Sequence, residues 1–233
     1  MAGKSVFFFL GCLLAFALLN EAALAQPYNG FEYMKLALQW PACYCQLQNC
    51  KEIPSYFTIH GLWPDNYTGK GLAKCYNKPY VTITDAALLQ RLNTSWPNLL
   101  RKQSNNKLWS HEWTEHGTCS LSRYNQTQYF EKALELKARY DLIGHMKTQG
   151  VSPGPNATYS AQKIIQVVQG LTGKVPDVFC EKKRGKQFLS EIRICFVPSG
   201  DNTTDCPKGR GTPQCSGDAA FPAPPSGGAP LSA

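Results

Sequence analysis

The sequence predicts a single-domain α+β fold: a central antiparallel sheet flanked by helices and stapled by disulfides. Three observations predict it. The stretch from Phe188 to Val197 alternates, with Phe188, Ser190, Ile192, Ile194 and Phe196 on one side and Leu189, Glu191, Arg193, Cys195 and Val197 on the other, the two-residue period of a strand. Tyr129, Ala133, Leu136, Tyr140 and Ile143 recur at helical spacing. Strand-like and helix-like stretches mix without the regular alternation of a parallel sheet. The 10 cysteines then suit a chain stapled in an oxidising compartment.

Along the chain, Tyr33 to Trp40 reads as a strand, with Met34, Leu36, Leu38 and Trp40 on one side. Tyr56 to His60 is a short aromatic and β-branched run, stopped by Gly61 and Pro64. Thr84 or Asp85 can cap a helix carrying Leu88, Leu89 and Leu92. The Tyr129–Ile143 spacing predicts one long amphipathic helix. Ser160 can cap another, with Ile164, Ile165, Val167, Val168 and Leu171 inside.

The ends read differently. Lys4 precedes an apolar run from Val6 to Leu19, and Ala23-Leu24-Ala25 supplies a small-x-small cleavage pattern, so residues 1–25 read as a secretory signal peptide. The run is shorter than the roughly 18 apolar residues a membrane span needs, so a membrane anchor is not expected. The expected destination is extracellular, with the vacuole as the alternative. From residue 216 to 233 the chain is rich in Pro, Gly, Ala and Ser, with one charge and one aromatic residue; it is expected to trail as a disordered tail after a domain spanning 26–215.

Loss of the signal keeps the formal charge of +8, because Lys4 and Glu21 leave together. A basic surface suits a polyanionic partner but excludes little. Cys12 also leaves, so Cys43, Cys45, Cys50, Cys75, Cys119, Cys180, Cys195, Cys206 and Cys215 remain. The count is odd, so at least one thiol is free or pairs with another chain, and spacing alone does not fix the pairing. No combination of cysteine and histidine spacings suggests a structural zinc site. Sequons at Asn66, Asn93, Asn125, Asn156 and Asn202 fit a glycosylated secreted protein.

Chemistry concentrates in two segments, which hold three of the 4 histidines. One is Phe57-Thr58-Ile59-His60-Gly61-Leu62-Trp63-Pro64-Asp65. The other is His111-Glu112-Trp113-Thr114-Glu115-His116-Gly117-Thr118-Cys119. The remaining histidine, His145, is read as structural. Histidine titrates near neutrality and suits proton transfer. Cleaving RNA through its own 2′-hydroxyl needs one group to take that proton, one to protonate the leaving 5′-oxygen, and polar groups to steady the phosphorane. The second segment superficially suggests the His-Glu-x-x-His zinc helix, but its spacing is one residue too long. A helix turns about 100° per residue, so His111 and His116 would point roughly 140° apart, and Glu115 stands where the second ligand belongs. No metal or other cofactor is expected. In a helix, Glu112 and His116 would form an i, i+4 pair on one face.

Together the two segments resemble the paired active-site signatures of the ribonuclease T2 family. Leu38-Gln39-Trp40-Pro41 resembles the family's first strand, and Leu92-Asn93-Thr94-Ser95-Trp96-Pro97-Asn98 the stretch before its catalytic helix; the likeness to plant members runs from about Glu32 to Cys215. The resemblance implies that His116 is the general base and His60 the general acid, that His111 holds the phosphate, and that Glu112 helps stabilise the pentacoordinate state. Trp63 and Asp65 match positions near the upstream base pocket. Gln39, Asn98 and Leu100 match the downstream pocket, and Leu108 a position often held by an aromatic. For Trp63 and Leu100 plain core packing is an equal alternative. The resemblance further implies the pairs Cys45–Cys50, Cys75–Cys119, Cys180–Cys215 and Cys195–Cys206. Cys43 is left over, as a buried thiol or as the bond of a dimer of an otherwise monomeric protein.

The implied activity is an endoribonuclease acting on single-stranded RNA by way of 2′,3′-cyclic phosphates to 3′-phosphates. Basic, several-fold glycosylated plant members resemble pistil self-incompatibility ribonucleases. One departure stands out. Members usually carry a lysine just before the last histidine, where this chain has Glu115. A carboxylate beside the substrate would raise neighbouring histidine pKa values and repel transition-state charge. Reduced activity, or an optimum shifted to lower pH, is expected. The competing reading is a defence or storage protein that kept the fold and lost the chemistry.

Overall fold

In the computed structural model, which describes residues 30–68, 70–207 and 215–225, strand β1 (Tyr33–Gln39) lies between β2 (Thr58–Asp65) and β5 (Lys186–Phe196), antiparallel to both. β5 also pairs with β4 (Asp177–Lys183) and the short β6 (Thr203–Thr204). Through a single parallel pair, Phe188 with Ala220, it meets β7 (Asp218–Ala220), which carries β3 (Thr158–Ser160) at the far edge.

The two-residue strand period divides this sheet into two faces. Met34, Leu36 and Leu38 of β1 stand opposite Phe196, Ile194 and Ile192 of β5, and Leu36 and Leu38 also face Leu62 and Ile59 of β2. All are buried and form the core with the helices. The other face carries Lys35, Ala37 and Gln39 on β1, Gly61 and Trp63 on β2, and Glu191 and Arg193 on β5. Charged residues in alternate positions of a buried strand thus mark the working side of the sheet.

The helices are α1 (Pro41–Leu47), α2 (Ala86–Ser95), α3 (Asn105–Glu115), α4 (Gln126–Ala138), α5 (Leu142–Thr148) and α6 (Ala161–Thr172). Asp85, Ser104, Asp141 and Ser160 each cap a helix by accepting from a backbone N–H in its first turn, and Asn125 with Gln128 forms a full capping box. Each cap holds about 1 kcal/mol. Ser160 is the expected cap, and Asp85 rather than Thr84 is the cap of α2.

Buried aromatic tips tie the helical layer to β2. Trp96 Nε1 donates to the His60 carbonyl at 2.9 Å, and Tyr129 Oη donates to the Leu62 carbonyl at 2.8 Å. Trp109 Nε1 donates in turn to the Trp96 carbonyl at 2.9 Å. The backbone on both sides of Gly61 is thereby fixed from behind, while its other face is left to the site.

Four disulfides close the chain: Cys45–Cys50, Cys75–Cys119, Cys180–Cys215 and Cys195–Cys206, the pairs the resemblance implies. Cys43 is 1% exposed, and burial, then the Glu181 charge, pushes its thiol up to about 12. Such a thiol fits the buried, inert reading of Cys43, since it reaches a second chain only after local opening. His145 Nε2 donates to the Val167 carbonyl, 3.1 Å away, a contact that fits its structural reading.

Three expectations are corrected. The second strand does not stop at Gly61 but runs through Pro64 to Asp65. Among the described residues it pairs only with β1, so it is an edge strand, where a proline's missing N–H costs no ladder bond. The single helix expected from Tyr129 to Ile143 is two, broken at Arg139–Asp141, where Asp141 starts α5 by accepting from the Gly144 N–H. Tyr140 and Ile143 kept the helical spacing across the break by coincidence.

The third correction concerns the domain end. The chain beyond Cys215 does not trail free over its described part. β7 joins the sheet, and Phe221 is fully buried with its ring centroid 4.8 Å from Trp40. Trp40 Nε1 donates to the Pro222 carbonyl at 2.8 Å, and Phe221 exchanges backbone hydrogen bonds with the 154–157 loop. The composition hid this because one aromatic suffices as an anchor, burying a side chain worth roughly 2–3 kcal/mol. The rest of the expected tail, residues 226–233, and the expected signal peptide lie outside the described residues.

Of the sequon asparagines, Asn93, Asn125, Asn156 and Asn202 are exposed and Asn66 is half-buried. Among the described residues no helix is long and apolar enough to cross a membrane.

Candidate active site

The site is built on a bulge. Ala37 pairs with Gly61 and Leu38 with Ile59, so His60 is an extra residue in β2. Strict alternation from Trp63 and Gly61 would turn Ile59 toward the site; the extra residue returns Ile59 to the core and leaves His60 beside Gly61. Across the sheet, the His60 Nδ1 lies 2.6 Å from Glu191 Oε1. The other oxygen of Glu191 accepts from Arg193 Nε at 2.6 Å. Arg193 in turn lies over the Phe179 ring at 3.7 Å and the Trp63 ring at 4.6 Å.

The opposing wall is α3 and the turn after it. Glu112, 2% exposed, accepts from Trp63 Nε1 at 3.0 Å. His116 is the C-cap of α3, with φ −123° and ψ −46°, and donates its N–H to the Glu112 carbonyl at 3.0 Å. It therefore leaves the regular helix, and the expected i, i+4 pair holds along the backbone rather than between side chains. A 3-10 turn (Gly117–Ser120) follows, clamped by Cys119–Cys75. His111 stands exposed on the same helix.

Trp63 packs against both imidazoles: its ring centroid is 5.1 Å from that of His60 and 5.3 Å from that of His116, so one indole gathers the two rings. Gly61 is required beneath it: a Cβ there would stand 2.1 Å from Trp63 Nε1 and 2.3 Å from Glu112 Oε2.

Electrostatics push the two histidines apart. Burial, then the His111 and His60 charges, lowers His116 to about 4. Desolvation alone would lower His60 too, but its hydrogen bond to Glu191 and the charges of Glu191 and Glu112 outweigh it, and His60 is raised above its ordinary value. Burial, reinforced by Glu191 and Glu115 and opposed by His60 and the Trp63 hydrogen bond, raises Glu112 to about 7. Burial likewise acts to raise Glu191, yet its bond to His60 and the charges of His60 and Arg193 hold it below the usual carboxylate range. The two imidazoles are thus shifted in opposite directions, His60 toward holding its proton and His116 toward giving it up. The Nδ1 of His116 is buried with no hydrogen-bond partner among the described residues.

Residues 31–206 match the model of the Ribonuclease T2 family. The chain belongs to the ribonuclease T2 family. Among its relatives, Ribonuclease S-2 of Nicotiana alata is 36% identical over 208 residues, 87% of this chain and 90% of that protein. Ribonuclease MC of Momordica charantia is 38% identical over 184 residues, 76% of this chain and 94% of that protein. The crystal structure of the Nicotiana alata self-incompatibility-associated SF11-RNase matches with a TM-score of 0.74 at 34% identity, covering 82% of this chain and 99% of that one. A point mutant of RNase MC1 in complex with 5′-UMP matches with a TM-score of 0.72 at 33% identity, over 82% of this chain and 99% of that one. This T2 ribonuclease is therefore an endoribonuclease with the α+β, disulfide-stapled fold that its sequence predicts.

Within this ribonuclease the expected site residues divide. His60, Trp63, Glu112 and His116 come together. Gln39 lines a cavity of about 270 Å³ beside His60, with Tyr44, Phe179, Glu191 and Arg193 also on its wall. Asp65 does not join them. It is 3% exposed and accepts from Lys35 Nζ at 2.8 Å, Tyr33 Oη at 2.9 Å and the Asn66 N–H at 2.9 Å, contacts that organise the end of β2. Asn98 is 6% exposed, with its amide spent on the Ser104 carbonyl and the Leu100 N–H. Leu100 forms a backbone bridge with Cys50, and Leu108 packs half-buried against the core.

Glu115 also differs from expectation. Its carboxylate pairs with Lys74 Nζ at 3.2 Å, and the Lys74 N–H donates to the Glu115 carbonyl at 2.8 Å. A cation is thus supplied from the neighbouring loop. The Glu115 charge does act upward on His116, but burial and the other histidines dominate and the net shift is downward. An upward shift of a base would move the acid limb to higher pH, so a low-pH optimum does not follow from the Glu115 charge. Glu191 and Arg193 were read only as one face of a strand. Two opposite charges at i and i+2 inside an otherwise apolar strand were the available signal.

Proposed function

We propose that this ribonuclease cleaves single-stranded RNA by acid–base transesterification between His116 and His60, with no metal or cofactor taking part. His116, neutral, takes the proton of the 2′-hydroxyl. The 2′-oxygen attacks phosphorus, and the phosphorane forms against His111 and Glu112, whose raised pKa leaves it a protonated carboxyl able to donate below about pH 7. His60 gives its proton to the 5′-oxygen as the P–O5′ bond breaks, releasing a 2′,3′-cyclic phosphate. Water then opens the ring with the roles reversed, giving a 3′-phosphate. The observation that carries this reading is geometric: the His60 and His116 rings both pack on the Trp63 indole, whose Nε1 donates to the buried Glu112 carboxylate.

Substrate contact is assigned to the cavity that Gln39, His60 and Arg193 border. The related RNase MC1 bound to 5′-UMP and RNase NT bound to 5′-AMP, the latter with a TM-score of 0.75, support a nucleotide-binding cleft in this family. The protein is proposed to be secreted, glycosylated at Asn66, Asn93, Asn125, Asn156 and Asn202, and monomeric. A role in pistil self-incompatibility is the biological reading that the named S-ribonuclease relatives and the charge of +8 support. The weakened-scaffold alternative rests on Glu115 alone, and Lys74 answers that charge.

The test is degradation of yeast RNA with and without chelator by the wild type, His60→Ala and His116→Ala. Cleavage that ignores chelator, yields cyclic phosphate and drops at least about a hundredfold in each variant supports the mechanism. Wild-type activity in either variant sinks it, and an inert wild type at every pH supports the scaffold reading.

A further inference from the structure

Glu191 lies 131 residues from His60 in sequence, yet the two are joined side chain to side chain at 2.6 Å. Nothing in the reaction as written uses Glu191. It is 6% exposed, and its second oxygen is clamped by the equally buried Arg193. Burying a carboxylate is costly unless its lone pairs are answered, and here they are answered by one guanidinium and one imidazole. Arg193 is itself held flat against Phe179 and Trp63, so the carboxylate cannot easily turn away. The His60 side chain is 43% exposed, which leaves its far edge open to the cleft.

We propose that Glu191, clamped by Arg193, is a positioning residue that fixes the His60 ring through Nδ1 and so presents Nε2 to the leaving oxygen. The inference rests on the acid role proposed for His60. An imidazole bound at one nitrogen by a carboxylate has its tautomer and plane set, and exchanges protons only at the other. The carboxylate also favours the charged ring, which is the form an acid needs. The charged groups facing His60 are Glu191 and Arg193 from β5 and Glu112 and His116 from α3, with Glu181 of β4 bordering the same cavity. Of these, only Glu191 touches the ring by a hydrogen bond. Arg193 then serves two groups at once, the carboxylate behind the acid and the indole that packs on both histidines.

The test uses the intact protein and a dinucleoside phosphate. In Glu191→Gln a hydrogen bond can persist while the charge is lost. The expected result is a fall in kcat of about ten- to a hundredfold at neutral pH with KM changed less than about twofold, and a basic limb of kcat moved to lower pH. Followed by NMR, the His60 imidazole is expected to titrate at lower pH in the variant than in the wild type. Superimposable pH profiles, or an unmoved His60 titration, overturn the proposal. Should Glu191→Gln fail to fold, the wild type decides: a His60 Nδ1 proton in a short hydrogen bond gives a strongly downfield ¹⁵N-coupled resonance, and a His60 ring protonated only at Nε2 near neutrality overturns the proposal. His60→Ala is the separate control on the acid assignment: full activity there sinks that assignment, while the NMR titration still reports what Glu191 does to the ring.

Discussion

Gly61 is the smallest residue in the site and one of its most demanding. A methyl added there would stand 2.1 Å from Trp63 Nε1 and 2.3 Å from Glu112 Oε2, where ordinary contact begins near 3.4 Å. One or both partners must retreat by more than 1 Å. Neither can do so cheaply. Trp63 is pinned by its 3.0 Å bond to Glu112 and by Arg193 lying over its ring, and Glu112 sits in the middle of a capped helix. The Gly61 backbone cannot yield either, because Trp96 and Tyr129 hold the carbonyls on both sides of it. Overpacking of this kind costs about 1–3 kcal/mol of stability. Its effect on turnover is larger, since a 1 Å misplacement in a preorganised site can cost about a hundredfold. In Gly61→Ala we expect kcat/KM on a dinucleoside phosphate to fall by about two orders of magnitude, while circular dichroism and a melting curve show a folded protein. A variant with wild-type kcat/KM would refute the reasoning, because the packing beneath the indole would then be irrelevant to the chemistry.

Other consequences follow from the same geometry. The base His116 is lowered to about 4 and the acid His60 is raised, so kcat/KM should stay high from about pH 5 to neutrality and fall above it as His60 and Glu112 lose their protons; an optimum above about pH 8 would contradict the assigned roles. Phe221→Ala removes a fully buried ring packed on Trp40 and should cost about 3–5 kcal/mol in chemical denaturation, whereas an unchanged midpoint would return that segment to the status of a free tail. Replacing Cys75 and Cys119 together opens a link between residues 44 apart that clamps the turn after His116. The loop-entropy cost is about 4 kcal/mol, and the melting temperature should drop on the order of 10 °C; a drop under about 2 °C would show that the turn is held by packing alone.

Much of this architecture was readable from local signals. β1 and β5 announced themselves by alternation, and Asp85 and Ser160 by the chemistry of helix starts. These signals act within a few residues, which is why they survive without knowledge of the fold. The misreadings have the same origin. Gly61 and Pro64 look like strand breakers unless one knows that β2 is an edge strand and that Gly61 faces an indole. Tyr140 and Ile143 continue a helical spacing that Asp141 interrupts with a new cap. Phe221 was discounted because its neighbours are small, although one buried ring and one indole hydrogen bond suffice to dock the segment.

In the site, the clustering of His60, Glu112 and His116 could be anticipated because the two segments carry the residue types that transesterification would use. The links that tune them were not. Glu191 to His60 and Lys74 to Glu115 join residues far apart in the chain, and no local pattern encodes such a contact. Asp65 and Asn98 illustrate the converse: polar residues at suggestive positions that the fold consumes in its own hydrogen bonds.

The account turns on His60 as proton donor and His116 as proton acceptor, and one comparison separates those roles. The substrate is a nucleoside 3′-(4-nitrophenyl phosphate), whose leaving group departs without a proton, set beside a dinucleoside phosphate, whose 5′-oxygen needs one. His60→Ala is predicted to be crippled on the dinucleotide yet to keep most of its rate on the nitrophenyl ester, while His116→Ala is predicted to lose both. Equal losses on the two substrates for His60→Ala, or retention of the nitrophenyl rate by His116→Ala, would contradict the assignment.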